Sequence, residues 1–366
     1  MKIAYVALKY DYGKKERGFS FEHNNFYDAL SRMEGGHQVI YFPFDEVMQE
    51  VGREAMNAKL LEMIKTERPD FTFFCIFTDE IDTATLAAIQ ESKFTTTFNW
   101  FTDDHWRFDN FGKYYCHYFD YVGTTDSQAP AKYAAIGYKN VIKTQWACNH
   151  HMYKPTGVAA EKIGARKPSE YKYDVTFVGQ PHGDRKEVVA KLQAAGLNVQ
   201  CWGGGWPNGR ISQEGMLEVF SNSKVNLNLT KSSDMVSLKA IAKVFFYRRN
   251  DQTYQLHRPG MWIDNLKSLI NKNREQIKGR NFEVPGTGGF ILTGDADNLS
   301  TYYEDGKDIA IFNGTDDLIA KARYYVAHDD ERERIAKAGY DRTLREHTYE
   351  ERFKAIFAAC RVGDKP

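Results

Sequence analysis

Two kinds of hydrophobic pattern alternate along the chain. Short, nearly unbroken apolar runs predict buried strands at 2–8, 38–42, 71–77, 95–101, 120–124 and 140–146. Between them, 3.6-residue spacing predicts helices at 21–33, 53–66, 82–92, 109–118 and 127–136. Strands separated by single helices imply parallel pairing through right-handed crossovers. The pattern lapses over 151–171, where Pro155, Gly157, Gly164 and Pro168 mark an interdomain linker. It restarts with strands at 172–179, 197–202, 224–229, 288–292 and 308–312 and helices at 184–195, 212–222 and 296–304. Helical spacing then continues to about residue 360. The reading is two doubly wound α/β domains, 1–150 and 172–345, with 346–366 as a helix packing back toward the first.

The length of 366 residues agrees with two domains of about 150 residues each. With 42 % apolar and 27 % charged residues the chain is expected to fold. It has neither an 18-residue apolar stretch nor a leader-like start, which predicts a cytoplasmic protein without a transmembrane segment. Five scattered cysteines without a CxxC pair predict buried thiols.

Ligands of open parallel sheets lie beyond the carboxyl ends of the strands. In the second half these ends carry GQPHGDR at 179–185, GGGWPNGR at 203–210 and TKSS at 230–233. Gly179, Gly205, Trp206, Thr230 and Lys231 are therefore candidate ligand contacts, and His182 and Arg185 would add positive charge. One glycine turn alone is usually just a turn. Three at successive strand ends favour a phosphate-bearing ligand. A complete Rossmann GxGxxG with its acid, a P-loop, a GxSxG elbow and HExxH are all missing, which removes the main support for dehydrogenase, NTPase, hydrolase and zincin chemistry.

The stretch EQIKGRNFEVPGTGGFILTGDADNLSTYYEDGKDIAIF at 275–312, closed by HTYEERF at 347–353, resembles the carboxyl-terminal region of the CgeB-like glycosyltransferases, a branch of the GT-B superfamily. YDVTFVG, GGGW and SNSKVNLNL continue the resemblance, and GFSFEHNNFYDAL and NWFTDDHWRF extend it over the amino half. It implies two Rossmann-like domains facing across a cleft. It also implies a glycosyltransferase holding a nucleotide-diphosphate sugar, UDP- or GDP-linked, in the second domain and a hydroxyl acceptor in the first, with no metal and no other cofactor. At the position matching Glu283 the family's glutamate accepts hydrogen bonds from ribose hydroxyls, as a carboxylate can. Gly286, Thr287, Gly288 and Gly289 would offer amides to the diphosphate, with Arg280 as charge partner. A bland alternative for Arg280 and Glu283 is an i, i+3 surface pair worth roughly a few tenths of a kcal/mol. Glu275 stands eight residues before Glu283, the spacing of two glutamates in many retaining members, but it lies in a polar run, and inversion or retention stays open.

An inverting transfer needs a general base for the acceptor hydroxyl. Asp103 and Asp104 follow the strand TTTFNWF, and Glu22 and His23 open the first helix, so all four are expected at the carboxyl end of the first sheet. The order of candidates is Asp103, Asp104, His23 and Glu22. Helix capping for the aspartates and an ordinary surface role for His23 are the alternatives.

One segment departs from the family, an insertion at about 232–272 rich in Phe, Tyr and Trp. Lys plus Arg equals Asp plus Glu over the chain, at 49 each, yet residues 231–280 hold eleven basic against four acidic residues. An anionic acceptor such as nucleic acid, a phosphorylated glycan or lipid headgroups would suit that charge. Equally, the segment could be a helical hairpin that packs Phe245, Phe246 and Trp262 into its own domain or into a second subunit as a homo-oligomer contact. A sugar-nucleotide epimerase of the same fold and a non-catalytic nucleic-acid-binding protein are the rival functions.

Overall fold

A computed structural model describes residues 1–230, 238–248 and 253–362. Lys231, a candidate ligand contact, lies outside the described residues. In chain order the strands are β1 (Lys2–Ala7), β2 (Gln38–Pro43), β3 (Phe71–Phe74), β4 (Thr96–Phe101), β5 (Tyr121–Thr124), β6 (Val141–Lys143), β7 (Tyr173–Val178), β8 (Val199–Trp202), β9 (Ser223–Asn228), β10 (Phe246–Arg248), β11 (Tyr254–Leu256), β12 (Ile291–Gly294) and β13 (Ala310–Phe312). Contacts gather the chain into two units. One is Met1–Gln145 with Val236–Lys272 and Tyr349–Pro366; the other is Trp146–Met235 with Asn273–Thr348.

The first unit holds a parallel sheet ordered β2-β1-β3-β4-β5-β6. Both faces of its centre are covered, which is why β1 and β3 read as unbroken apolar runs rather than alternating ones. On one face Ala4, Val6, Phe74 and Val122 pack with Leu60, Ile64, Leu86 and Ile89 from the flanking helices. On the other, Phe73 and Trp100 meet Phe26, and the helix Tyr349–Ala359 adds Tyr349, Phe353 and Phe357.

The helix predicted at 109–118 is instead a broken run: Asp104–Arg107, a wide π-type turn Phe108–Gly112, and two single turns to Tyr118. Phe108 and Phe111 are buried along this run. Conversely, a helix Phe44–Val51 follows β2 without any break that the hydrophobic pattern could register.

The basic, aromatic insertion forms helices Leu238–Phe245 and Trp262–Asn271 around the antiparallel pair β10–β11. The two short strands are absent from the sequence reading. By its contacts the segment belongs to the first unit, although it interrupts the sequence of the second. The attachment is polar. Tyr114 donates its hydroxyl to Asp264 at 2.6 Å, Lys113 pairs with the same carboxylate at 2.8 Å, and Asn110 donates to Asn265 at 3.1 Å.

The second unit holds a parallel sheet ordered β13-β12-β9-β7-β8. Strand order reverses between β7 and β9, so a crevice is expected beyond their carboxyl ends. Val175, Phe177, Val225, Leu227 and Leu292 form its core with Val189, Leu192 and Ile335. The helix predicted at 296–304 shrinks to one turn, Leu299–Thr301, because Asn298 enters it in the left-handed region at φ 65°. All five cysteines are buried free thiols. No helix among the described residues is long and apolar enough to cross a membrane.

Candidate functional site

At the β7/β9 switch point two arginines converge. Arg185 opens the helix Arg185–Ala194, is 6 % exposed, and donates to the carbonyls of Gln180 and Leu229, both at 2.8 Å. Those two carbonyls close the loops after β7 and β9, so the guanidinium ties both strand ends together. Arg280 opens the short helix Arg280–Gly286 and reaches over Gly179, where an added Cβ would stand 3.1 Å from its Nη2. Both guanidinium groups lie over the Phe177 ring, at 5.4 and 5.7 Å. Burial, and then the charge of Arg280, lowers the pKa of Arg185 to about 10, which leaves it cationic at neutral pH. The Arg280 guanidinium makes no hydrogen bond among the described residues, and Nε of Arg185 is buried without one. Two close cations with unspent donors are chemically suited to a multivalent anion.

Glu283 stands one helical turn from Arg280 and is 5 % exposed, so the surface-pair alternative does not apply. Burial raises its pKa, while Arg280 and the Tyr153 hydroxyl, which donates to Oε1 at 3.0 Å, oppose the rise. Beneath the start of this helix, Asn228 donates to Asn281 at 2.9 Å and to Thr293 at 3.1 Å, and Asn281 also donates to Thr293. Tyr153, Asn228, Asn281 and Thr293 were not singled out from sequence. The available signal was the asparagine within the apolar strand KVNLNL, which has to find partners once buried.

The glycines divide by use. Gly203 adopts φ 138° and lies against the backbone of Gly179, leaving no room for a Cβ. Gly205 abuts Pro181 in the same way, and the Trp206 indole donates to the Gly179 carbonyl at 2.7 Å. These residues brace the Gly179 turn. The amides of Thr287, Gly288 and Gly289 are spent on carbonyls of their own turn, at 2.8–3.2 Å. Gly286 faces the Cys148 thiol, Gly288 faces Ile163 and Gly289 the Phe220 carbonyl. The expectation that this run cradles a diphosphate is therefore corrected: its glycines permit close packing, and a helix C-terminus repels anions. His182 is exposed on the loop after β7, and Thr230 is buried against Gly294 after β9.

In the first unit the corresponding switch point lies between β1 and β3. Ser20 anchors the long loop after β1, donating to the Leu8 carbonyl at 2.8 Å and accepting from the His23 amide at 3.0 Å. Glu22, 8 % exposed, follows in the next turn, and its carbonyl accepts from the Tyr5 hydroxyl at 2.9 Å. Burial pushes the Glu22 carboxyl up to about 7, against hydrogen bonds from its own amide and Ser20, and Asp11 and Asp103 add repulsion. Asp103, half-buried after β4, also lies within charge range of Cys75 and Arg107. Arg107 is held by the Phe77 carbonyl, and the Glu80 carboxylate accepts from the amides of Phe77 and Thr78. Glu22 and Asp103 are thus within charge range of each other near the carboxyl end of this sheet.

Asp104 and His23 are placed differently. Asp104 is 1 % exposed, accepts from the Tyr133 hydroxyl at 3.0 Å, and is capped by Gly112. It is sealed in the core, so its candidacy as base is corrected; burial pushes its carboxyl up to about 7. The His23 ring stacks on Phe19 at 4.1 Å, and burial, then Lys9, lowers its pKa. That ring is a neutral member of an aromatic cluster with Tyr27 and Tyr41.

Comparison with known proteins bears on both units. Residues 185–358 match the family described as "Glycosyl transferase-like", a range that contains Arg185, Arg280 and Glu283. The chain is 24 % identical over 341 residues to the spore protein CgeB of Bacillus subtilis (strain 168), covering 89 % of this chain and 98 % of that protein. Among solved structures it is similar to a glycosyltransferase from Rickettsia africae, with TM-score 0.57, 10 % identity and coverage of 100 % and 99 %. It is also similar to HepE of Anabaena in complex with UDP-glucose, with TM-score 0.58, 9 % identity and coverage of 98 % and 99 %. Two parallel sheets in this arrangement are the GT-B fold.

Proposed function

We propose that this chain, a CgeB-like glycosyltransferase of the GT-B superfamily, binds a nucleotide-diphosphate sugar at the Arg185–Arg280–Glu283 end of the second sheet and transfers the sugar to a hydroxyl acceptor in the cytoplasm. One observation carries the donor assignment: two guanidinium groups meet over Phe177 and Gly179 with unspent donors, one turn from a buried carboxylate. As the glycosidic bond breaks, negative charge gathers on the departing diphosphate. Fixed cations in a site with little water stabilise that charge more in the transition state than in the ground state. Glu283 is suited to accept hydrogen bonds from ribose hydroxyls, with Tyr153 holding its orientation. Because a HepE complex contains UDP-glucose, a uridine donor is the first to test.

For the acceptor we assign Glu22 as general base, its proton affinity kept high by burial, with a smaller repulsion from Asp11 and Asp103. A carboxyl near 7 is matched to proton abstraction at neutral pH. The test is a thermal-shift screen of UDP-, GDP-, ADP-, dTDP- and CMP-sugars, followed by product analysis of the best donor. Stabilisation by one nucleotide family, lost in Glu283→Ala, and formation of a transfer product are expected. A product with a new sugar configuration and no transfer would instead identify an epimerase.

A further inference from the structure

The helix Trp262–Asn271 is turned inside out. Its buried positions are Asp264, Asn265 and Ser268. Its exposed positions include Ile263, Leu266 and Ile270, at 68, 50 and 64 % exposure. Spaced i, i+3 and i+7, these three lie on one face. The polar side is committed to Lys113, Tyr114, Asn110 and the Val244 carbonyl, so the orientation is fixed by specific partners. Neighbouring elements carry further exposed apolar side chains. Ile241 is exposed on the preceding helix, and Phe246 and Leu256, opposite each other across the β10–β11 pair, are 50 and 60 % exposed. Of the fourteen large apolar side chains exposed among the described residues, seven fall between 241 and 270. Single exposed apolar residues need no explanation, whereas such a concentration does.

Charge decides what covers the face. Residues 238–272 contain seven Lys or Arg and two Asp, and one of those, Asp264, is already neutralised by Lys113. A second copy laid on the same face would set this positive excess against itself. Nucleic acid would match the charge but would stack on aromatic rings, and most of the exposed side chains here are aliphatic. An anionic bilayer matches both properties, since apolar side chains enter the acyl boundary while Lys and Arg meet the headgroups.

We propose that Ile241, Phe246, Leu256, Ile263, Leu266 and Ile270 form a docking face that holds the first unit on the surface of an anionic lipid bilayer. The Trp262–Asn271 helix packs directly on Asp104–Arg107, the turn that follows Asp103. Docking thus anchors the protein through the element next to Asp103, the charged neighbour of the proposed base. This inference does not depend on the donor assignment.

The test is co-sedimentation of the full chain with vesicles of phosphatidylcholine alone and of phosphatidylcholine mixed with phosphatidylglycerol. The unaltered protein should pellet with the mixed vesicles and much less with the neutral ones. Ile263→Ser/Leu266→Ser/Ile270→Ser should bind the mixed vesicles about tenfold more weakly or worse, and Arg258→Glu/Lys267→Glu should fall to the neutral-vesicle level. All three substituted side chains are exposed, and unchanged thermal melting would confirm that the variant folds. Absence of vesicle binding, or equal binding by the triple-serine variant, would overturn the proposal. So would a protein that self-associates until the triple substitution makes it monomeric.

Discussion

The guanidinium of Arg280 occupies the space that a side chain at position 179 would need: a Cβ there would stand 3.1 Å from Nη2, 3.3 Å from Nη1 and 2.9 Å from the Phe177 ring. The missing side chain at Gly179 therefore places the cation, and the residue's amide does not have to touch the ligand. Gly179→Ala should push Arg280 off the strand end and weaken nucleoside-diphosphate binding by about tenfold, a loss on the scale of one charge-assisted hydrogen bond. Titration followed by intrinsic fluorescence measures it. Unchanged affinity would mean that Arg280 does not act from this position.

Glu283 is expected to read the ribose. Glu283→Gln should reduce the preference for UDP over 2′-deoxy-UDP to near unity, because an amide replaces one acceptor oxygen with a donor. Tyr153→Phe removes the hydroxyl that donates to the carboxylate and should cost about 1 kcal/mol of affinity. Competition binding with the two nucleotides separates this role from a structural one.

The Glu22 carboxyl sits at about 7, above its ordinary value of 4.5. The folded state therefore binds this proton more tightly than the unfolded chain does. Its contribution to stability is complete below the ordinary value and is lost as pH rises to about 7. Glu22→Gln should flatten that part of the stability curve and raise stability at pH 8 by about 1–3 kcal/mol. The same variant should lose the alkaline rise of kcat/KM and about two to four orders of magnitude in rate. Denaturant melts and rate profiles across pH provide both readouts, and an unaltered rate profile would remove Glu22 as base.

Asp104 offers the contrasting case. Burial also raises its carboxyl, but the group faces Tyr133 and Gly112 inside the core. Asp104→Asn should therefore keep near-normal turnover, and above pH 7 it should match or exceed the parent in stability, because a buried charge is gone. Asp104→Ala leaves the Tyr133 hydroxyl unpaired and should cost about 1–3 kcal/mol. Loss of turnover in a stable Asp104→Asn protein would return Asp104 to the site.

What the chain discloses before folding follows from the range of the interactions involved. The eleven strands of the two sheets were legible as short apolar runs, clearest at the centre of each sheet, where β1, β3, β4 and β9 are almost wholly buried. Arg185, Arg280 and Glu283 could be picked out because they follow strand ends or fall in a resembling stretch. Tyr153 could not, since it lies 130 residues from Glu283 and nothing local marks it. Asp103 and Asp104 are neighbours in sequence, yet one is half-buried and the other sealed in the core, where Tyr133 and Gly112 hold it. Glycines 286 to 289 misled because a glycine admitted for close packing and one admitted for a phosphate look the same in one dimension. In the insertion a helical hairpin was one reading, but which side of Trp262–Asn271 turns inward is decided by Lys113 and Tyr114.

The central claim is that the second unit binds a nucleoside diphosphate through Arg185 and Arg280. Isothermal titration of the full chain with UDP, GDP and ADP and with the matching monophosphates tests it most directly. At least one diphosphate should bind about tenfold or more tightly than its monophosphate, and Arg280→Gln should abolish most of that difference. Equal affinity for diphosphate and monophosphate, or a preference that survives Arg280→Gln, would contradict the account.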